Sequence, residues 1–336
     1  MNSMERIFAA VQWQEVDRLP FILNLTHHGA KVLNLSIREY YSKAEYMVDG
    51  QIKLWKKYQD DAVIGISYYA SEFKAWGGDV KFFLDGPPNS MRPNLTTPEA
   101  IFTAKPPQID DIPEFTETLK TIRHLKEYFG DKVPIIGGII SPFSFPIMQM
   151  GFNKYIELLY QDRNTFNELM KKNMEHAVNW ANRQLEAGAT MIVYFDPMGS
   201  AEMIPPSLYL ETGYQIAKRT VAQIKGPVVY HFASSSSQKN LPKLIELPIK
   251  GTSISNKDNI TECLKIMDKK AALLGNLSGI QLIHTTPNQV IDKLNKIVNN
   301  VTPKTGFIVS DHHGEISYFV SDEILTIISQ FFHKKF

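Results

Sequence analysis

Two apolar runs of this 336-residue chain stop abruptly in imidazole: Val228-Val229-Tyr230-His231-Phe232-Ala233 and Phe307-Ile308-Val309-Ser310-Asp311-His312-His313. A buried strand that delivers a metal ligand or a proton carrier at its C-terminal tip has this pattern. Two such strands in one parallel barrel open at the same mouth, which makes their histidines partners. His312 and His313 cannot both face inward if the strand runs on through them, because successive side chains alternate. One of the two is then structural or supporting. Each histidine also has a plainer reading, as a packed ring bonded to backbone, and it is the pairing of the two tips that favours a site.

Positioning two such tips calls for a repeated strand–helix unit. β-rich runs fall at 19–25, 62–67, 133–139, 190–195, 227–232, 251–254, 271–274 and 306–309. Apolar residues at helical spacing occupy 42–58, 164–187, 207–225, 241–247, 259–269, 287–299 and 321–333. Gly188 and Gly226 stand where helix C-caps belong, and Pro287 behind Thr285-Thr286 fits a capped first turn. Eight runs, seven of them followed by a helical stretch, predict an α/β fold of the (β/α)8 TIM-barrel type, as a single domain over residues 1–336 with a short N-terminal helical extension over 1–18. An open nucleotide-binding sheet loses support, since neither Gly77-Gly78 nor Gly137-Gly138 opens a GxGxxG and no GxxxxGK[ST] occurs. The proline-rich stretch 86–113 reads as a long surface excursion between the second and third strands.

Barrel chemistry sits where strands end. The residues following the eight runs are Asn24, Thr26, His27 and His28; Tyr68, Tyr69 and Glu72; Ser141 and Phe143; Asp196; His231; Ser255 and Asn256; Asn276; and Asp311, His312 and His313. Polar groups follow every run. Asp196, Glu72 and Asn276 are the candidate catalytic groups. Asn24, His27, Tyr68, Phe143, Ser255 and Asp311 are candidates for binding substrate or cofactor, and His231 and His313 for holding a metal. Plainer roles compete: Asp196 as a turn cap before Pro197, Glu72 as a solvated loop acid, and His27-His28 as loop lining. Ser234 to Ser237 suit a flexible loop better than an anion-holding turn.

Composition sets outer bounds. With 36 basic and 35 acidic residues, 43% hydrophobic and 21% charged, the chain is globular and has no bias toward nucleic acid or an anionic membrane. No apolar run approaches the ~18 residues of a membrane span, and the polar start is unlike a signal peptide. The single cysteine, Cys263, rules out an intramolecular disulfide, suits a reducing cytoplasm and reads as a packed helix thiol.

Motifs in order along the chain carry a resemblance. Arg6-Ile7-Phe8-Ala9-Ala10 with Val16-Asp17-Arg18-Leu19-Pro20, the segment from Glu72 to Gly77, Asp196-Pro197 followed by Ile204-Pro205-Pro206-Ser207-Leu208-Tyr209, then Leu274-Gly275-Asn276-Leu277 and Thr286-Pro287-Asn288-Gln289-Val290 resemble the uroporphyrinogen decarboxylase superfamily. Its corrinoid-dependent methyltransferase branch is the nearer likeness. The resemblance implies methyl transfer between a methylated corrinoid on a partner protein and a small acceptor, either a coenzyme M-like thiol or another one-carbon acceptor. A homodimer is left open. It also implies zinc at His231 and His313, with Ala233 and His313 standing where the branch has cysteines. The third ligand is open among Glu72, Asp196, Asp311 and Glu315. A histidine set without thiolates leaves zinc more Lewis-acidic, which suits an oxygen better than a thiol. The decarboxylase branch binds a tetrapyrrole with clustered arginines, and Thr26-His27-His28-Gly29-Ala30-Lys31 offers none. The alternatives are a lyase using Asp196 and His231 as acid and base, or a non-catalytic relative that binds a corrinoid protein or tetrapyrrole.

Overall fold

The computed structural model describes residues 1–334. Its main sheet has eight strands: β1 (Phe21–Ile22), β2 (Val63–Ile64), β3 (Ile135–Ile140), β4 (Met191–Phe195), β5 (Val228–His231), β6 (Gly251–Ser253), β7 (Ala272–Leu277) and β8 (Phe307–Asp311). They run in the order β1-β8-β7-β6-β5-β4-β3-β2, and every ladder is parallel. Helices fill the connections, so the architecture is the (β/α)8 barrel that the pattern predicts.

The join between β1 and β2 is made largely by side chains. The Asp61 amide donates to the Phe21 carbonyl at 2.8 Å. In return the Asp61 and Asp60 carboxylates accept from the amides of Phe21 (3.0 Å) and Leu23 (2.9 Å). Asp61 is fully buried and also holds two guanidiniums, Arg6 at 2.7 Å and Arg18 at 2.6 Å. Arg6 reaches on to Asp17 at 2.6 Å, and this contact holds the Asp17 carboxyl well below the usual range. The opening motif with Arg6, Asp17 and Arg18 thus closes the barrel and lies away from the chemistry.

Strand alternation decides what faces the lumen. Ile22, Ile64, Ile136, Met191, Val229, Leu274 and Ile308 form an inner cluster with Ile7 and Ala10 of the N-terminal helix Ser3–Val11. Phe21, Val63, Ile135, Ile192, Val228, Tyr230, Leu273 and Phe307 pack outward with the surrounding helices. The N-terminal helix is tied to residues that precede strands: the Met4 amide bonds the Lys132 carbonyl and Trp13 Nε1 the Ala271 carbonyl. It therefore plugs the end opposite the strand tips.

Three expectations are refined. The helix expected over 207–225 divides into Pro206–Glu211 and Gly213–Val221, with Thr212 at φ −125° and ψ −84° breaking it. The excursion over 86–113 is partly regular, carrying the second strand of the hairpin Val80–Lys81/Asn89–Ser90, the helix Pro98–Thr103 capped by Thr97, and a short turn Ile109–Asp111. Ser234 to Ser237 form a tethered turn: Ser236 Oγ and the Ser237 amide donate to Asp258, and Ser237 Oγ donates to the Ser253 carbonyl. Cys263 is buried in the helix Ile260–Met267, as read. No helix among the described residues is long and apolar enough to cross a membrane.

Candidate active site at the barrel mouth

Parity along each strand sorts the candidates. In β5, Val229 faces the lumen, so His231, two residues on, faces the lumen at the tip. In β4, Met191 faces in, so Phe195 does and Asp196 does not. The structure follows this. The His231 ring lies against Phe195, with centroids 5.6 Å apart. A Cβ on Gly314 would sit 3.8 Å from His231 Cε1. The rings of His312 and His313 lie tilted against each other, centroids 4.1 Å apart.

The protonation of this histidine group is fixed by its surroundings. The Ala233 amide donates to His231 Nδ1 at 3.0 Å, which Ala233 achieves in a left-handed conformation, φ 55°. Nδ1 is therefore an acceptor, and in the neutral ring the proton sits on Nε2. Burial, and then the neighbouring His313, lower the His231 pKa to about 4. Burial likewise lowers His312 to about 3, helped by His313, His231 and Lys257, and it lowers His313. All three rings are neutral at pH 7. Both ring nitrogens of His312 and Nδ1 of His313 are buried without a hydrogen-bond partner.

Beside them lies a cavity of about 200 Å³ lined by Thr26, Tyr41, Ile66 to Ala70, Pro87 to Asn89, Met148, Phe195, His313, Gly314 and Glu315. Tyr69 stacks on Phe195 at 4.9 Å, and Tyr41 meets Tyr68 at 5.3 Å. Gly138 makes room for Tyr69, because a Cβ there would come within 3.0 Å of the Tyr69 hydroxyl. Glu315 Oε2 accepts from Thr26 Oγ at 2.9 Å and lies 3.2 Å from His27 Nδ1. Asn24 Nδ2 donates to Asp311, whose other oxygen accepts from the amides of His313 (2.8 Å) and Gly314 (3.0 Å). Burial raises the Asp311 pKa to about 6. Asn24 and Asp311 thus shape the loop that presents His313.

Other candidates have different work. Asp196 is fully buried; its carboxylate accepts from Ser141 Oγ, Ser144 Oγ and Tyr230 OH. Burial still raises its pKa despite those donors. Glu72 is 2% exposed, one oxygen taken by the Ile140 amide at 2.8 Å and the other 3.1 Å from His176 Nε2, so it is a buried anchor and no loop acid. Phe143 is corrected from mouth to core: it is fully buried and packs edge-on against Tyr155 and Phe166. The Ser255 hydroxyl accepts from the Lys257 amide at 3.0 Å and shapes a turn. Asn276 donates to the Ser255 carbonyl at 3.3 Å and borders a separate cavity of about 410 Å³ with Lys293 and Lys296. His28 bonds the carbonyls of Ile316 and Ser317. Tyr41, Met148 and Pro87 to Asn89 line the mouth without any strand-tip signal, brought there only by the fold, whereas Phe195 is the inward-facing tip of β4.

The donor set for zinc is not assembled. A neutral imidazole that coordinates through Nε2 keeps its proton on Nδ1, and here Nδ1 of His231 already accepts a backbone amide. The carboxylates of Glu72, Asp196 and Asp311 are each bonded on both oxygens. Among the described residues no three His, Cys, Asp or Glu side chains group as a metal site. Glu315, the fourth acid, has Oε2 engaged by Thr26 and lies beside His27, so His231 and these acids do not fit the resemblance's zinc.

A parallel eight-stranded barrel with polar groups gathered at the C-terminal mouth defines an enzyme scaffold. The chain belongs to the uroporphyrinogen decarboxylase (URO-D) family, whose model matches residues 2–333. Within that enzyme family it is similar to both kinds of relative. The methylcobamide:CoM methyltransferase MtaA of Methanosarcina barkeri is 25% identical over 173 residues, 51% of this chain and 50% of that protein, so the chain spans about half the length of that relative. A uroporphyrinogen decarboxylase of Ruthia magnifica subsp. Calyptogena magnifica is 20% identical over 264 residues, 75% of this chain and 74% of its own. The solved structure of a methyltransferase from Methanosarcina mazei has the same fold, with a TM-score of 0.87 at 16% identity over 98% of this chain and 97% of that one.

Proposed function

We propose that this chain is a methyltransferase, exchanging a methyl group between a corrinoid carried by a separate protein and a small substrate held at the barrel mouth. The observation that carries the reading is the mouth cavity. At about 200 Å³, with aromatic walls and no arginine or lysine lining it, it suits a substrate of few heavy atoms and excludes water from a reactive centre. A tetrapyrrole bearing eight carboxylates would need cations there, which counts against the decarboxylase reading. The acid–base lyase reading is weakened too, because Asp196 is enclosed by Ser141, Ser144 and Tyr230. The similarity to methylcobamide:CoM methyltransferases supports a corrinoid partner. A bound corrinoid supplies the cobalt that carries the methyl group. The chain's own residues bind and orient the small substrate, with His313 in the cavity wall and His231 next to Gly314 of that wall.

The test is methyl exchange with free methylcobalamin or cob(I)alamin, followed through the cobalt absorption spectrum. His231→Ala and His313→Ala each lower the turnover number by roughly 100-fold, as expected for loss of one oriented donor or its support, with the circular dichroism unchanged. Chelator-treated protein keeps its rate, and elemental analysis finds zinc well below one per chain. Absence of exchange across a panel of methylated amines, thiols and phenol ethers would sink the reading. Stoichiometric zinc lost in the double variant would reinstate the metal site.

A further inference from the structure

The cavity lining carries a carboxylate and no lysine or arginine. Four aromatic side chains, Tyr41, Tyr68, Tyr69 and Phe195, wall the cavity, and Glu315 is its carboxylate. The Tyr69 phenol is pushed far up by burial and then by the charges of Glu72, Glu315 and Asp311. Three carboxylates therefore bear on one point of the wall. Tyr41 is raised by burial, with Tyr40 and Glu315 adding to it. The nearby cations are outside the lining: Arg38 lies over Phe82 at 4.5 Å and Lys31 over Tyr318 at 5.5 Å, both exposed, and of the two Arg38 still acts on Tyr68. Aromatic faces with a carboxylate, no cation and little water form a cage for an organic cation.

We infer that the mouth cavity binds a methylated ammonium ion, and that this is the small substrate of the methyl exchange. The second half of that statement rests on the methyltransferase reading; the binding itself does not. Ring quadrupoles attract a diffuse N-methyl cation that gives up little hydration, and Glu315 supplies the counter-charge. A thiol carrying a sulfonate would meet a carboxylate and no cation. The chemistry balances with the corrinoid. Cobalt(I) supplies an electron pair to the methyl carbon and becomes cobalt(III) as the Co–C bond forms. The N–C bond breaks with its pair kept by nitrogen, which leaves as a neutral amine. No proton and no Lewis acid is required, in keeping with a site whose residues do not assemble zinc. The nitrogen acquires a lone pair only as the bond breaks, so a hydrogen-bond donor at the mouth finds its acceptor in the transition state and not in the bound substrate.

The experiment is titration of the purified chain, without any corrinoid, by calorimetry and by ligand-observed NMR. Its probes are choline, the uncharged isostere 3,3-dimethylbutanol and 2-mercaptoethanesulfonate. Choline is expected to bind saturably, with the isostere weaker by roughly 10-fold or more and the sulfonate not binding. Glu315→Gln, which keeps an oxygen for Thr26, should weaken choline by roughly 3- to 10-fold and leave the isostere unchanged. Phe195→Leu should weaken choline similarly, and the melting temperature of each variant establishes that it is folded. Equal binding of choline and isostere, tighter binding of the sulfonate, or no choline binding by the folded wild-type chain would each overturn the inference. Choline binding without methyl exchange leaves the cage standing and refutes the methyltransferase reading; exchange without cation preference does the reverse.

Discussion

Replacing Asp61 with alanine is expected to lower the stability of the barrel by about 3–5 kcal/mol, seen as a lowered urea midpoint. Its carboxylate is fully buried and accepts from Arg6 Nη1 (2.7 Å), Arg18 Nη1 (2.6 Å) and Nη2 (3.1 Å), and the Phe21 amide (3.0 Å). Removing it leaves Arg18 buried without a hydrogen-bonded carboxylate, and Arg6 paired with Asp17 alone. It also removes half of the side-chain bridging between β1 and β2. A loss under about 1 kcal/mol, the range of exposed pairs, would show that the cluster is solvated or redundant. Asp60→Asn should act oppositely, though Asp60 is the adjacent residue. Burial, and then the Asp61 charge, raise the Asp60 carboxyl well above its usual value. An acid raised in the folded state keeps its proton there while the unfolded chain has released it. Stability therefore falls as pH rises from about 4. Asparagine keeps an oxygen for the Leu23 amide and removes that slope. The variant should match or exceed wild type at pH 7 and lose less stability between pH 4 and 7; a steeper loss than wild type would contradict the assignment.

Asp196→Ala should cost about 3 kcal/mol and abolish turnover, although the side chain is outside the cavity. It strands the hydroxyls of Ser141, Ser144 and Tyr230 in a dry interior. Tyr230 also bonds Tyr209 at 2.9 Å, so the loss spreads into the helix Pro206–Glu211. The Asp196 amide meanwhile donates to the His231 carbonyl at 2.7 Å. Asp196 thus positions the two strand tips that carry Phe195 and His231. Asp196→Asn retains an acceptor and removes a charge that burial penalises, so it should fold nearly as well as wild type. Comparing the two separates positioning from acid–base chemistry. A general acid would lose its pH-dependent limb in the asparagine variant, whereas a positioning residue leaves the pH profile of kcat in place. A shifted profile with an intact thermal midpoint would favour the lyase reading.

How much of this was legible beforehand depended on the range of the signal. Alternation and helical spacing are local, and they sufficed for eight strands, their helices and the barrel. The same alternation marked His231 as lumen-facing once its strand was known. It did not by itself separate Phe195 from Asp196, because the inward parity of β4 is set by its pairing with β3 and β5. Phe143 follows β3 in the chain but turns back into the helical layer against Tyr155 and Phe166. Glu72 reads as a candidate catalytic group or a loop acid because its partners, the Ile140 amide and His176, are remote in sequence.

The sequence determined the scaffold and the strand tips from which the chemistry is drawn, because periodicity records which side of each element meets apolar surroundings. Tertiary structure decided the rest. It brought Tyr41, Tyr69 and Glu315 to one cavity, engaged the carboxylates that zinc would have needed, and fixed the His231 tautomer through the Ala233 amide. Charge, burial and hydrogen-bond satisfaction belong to neighbours in space, and no local pattern in the chain encodes them.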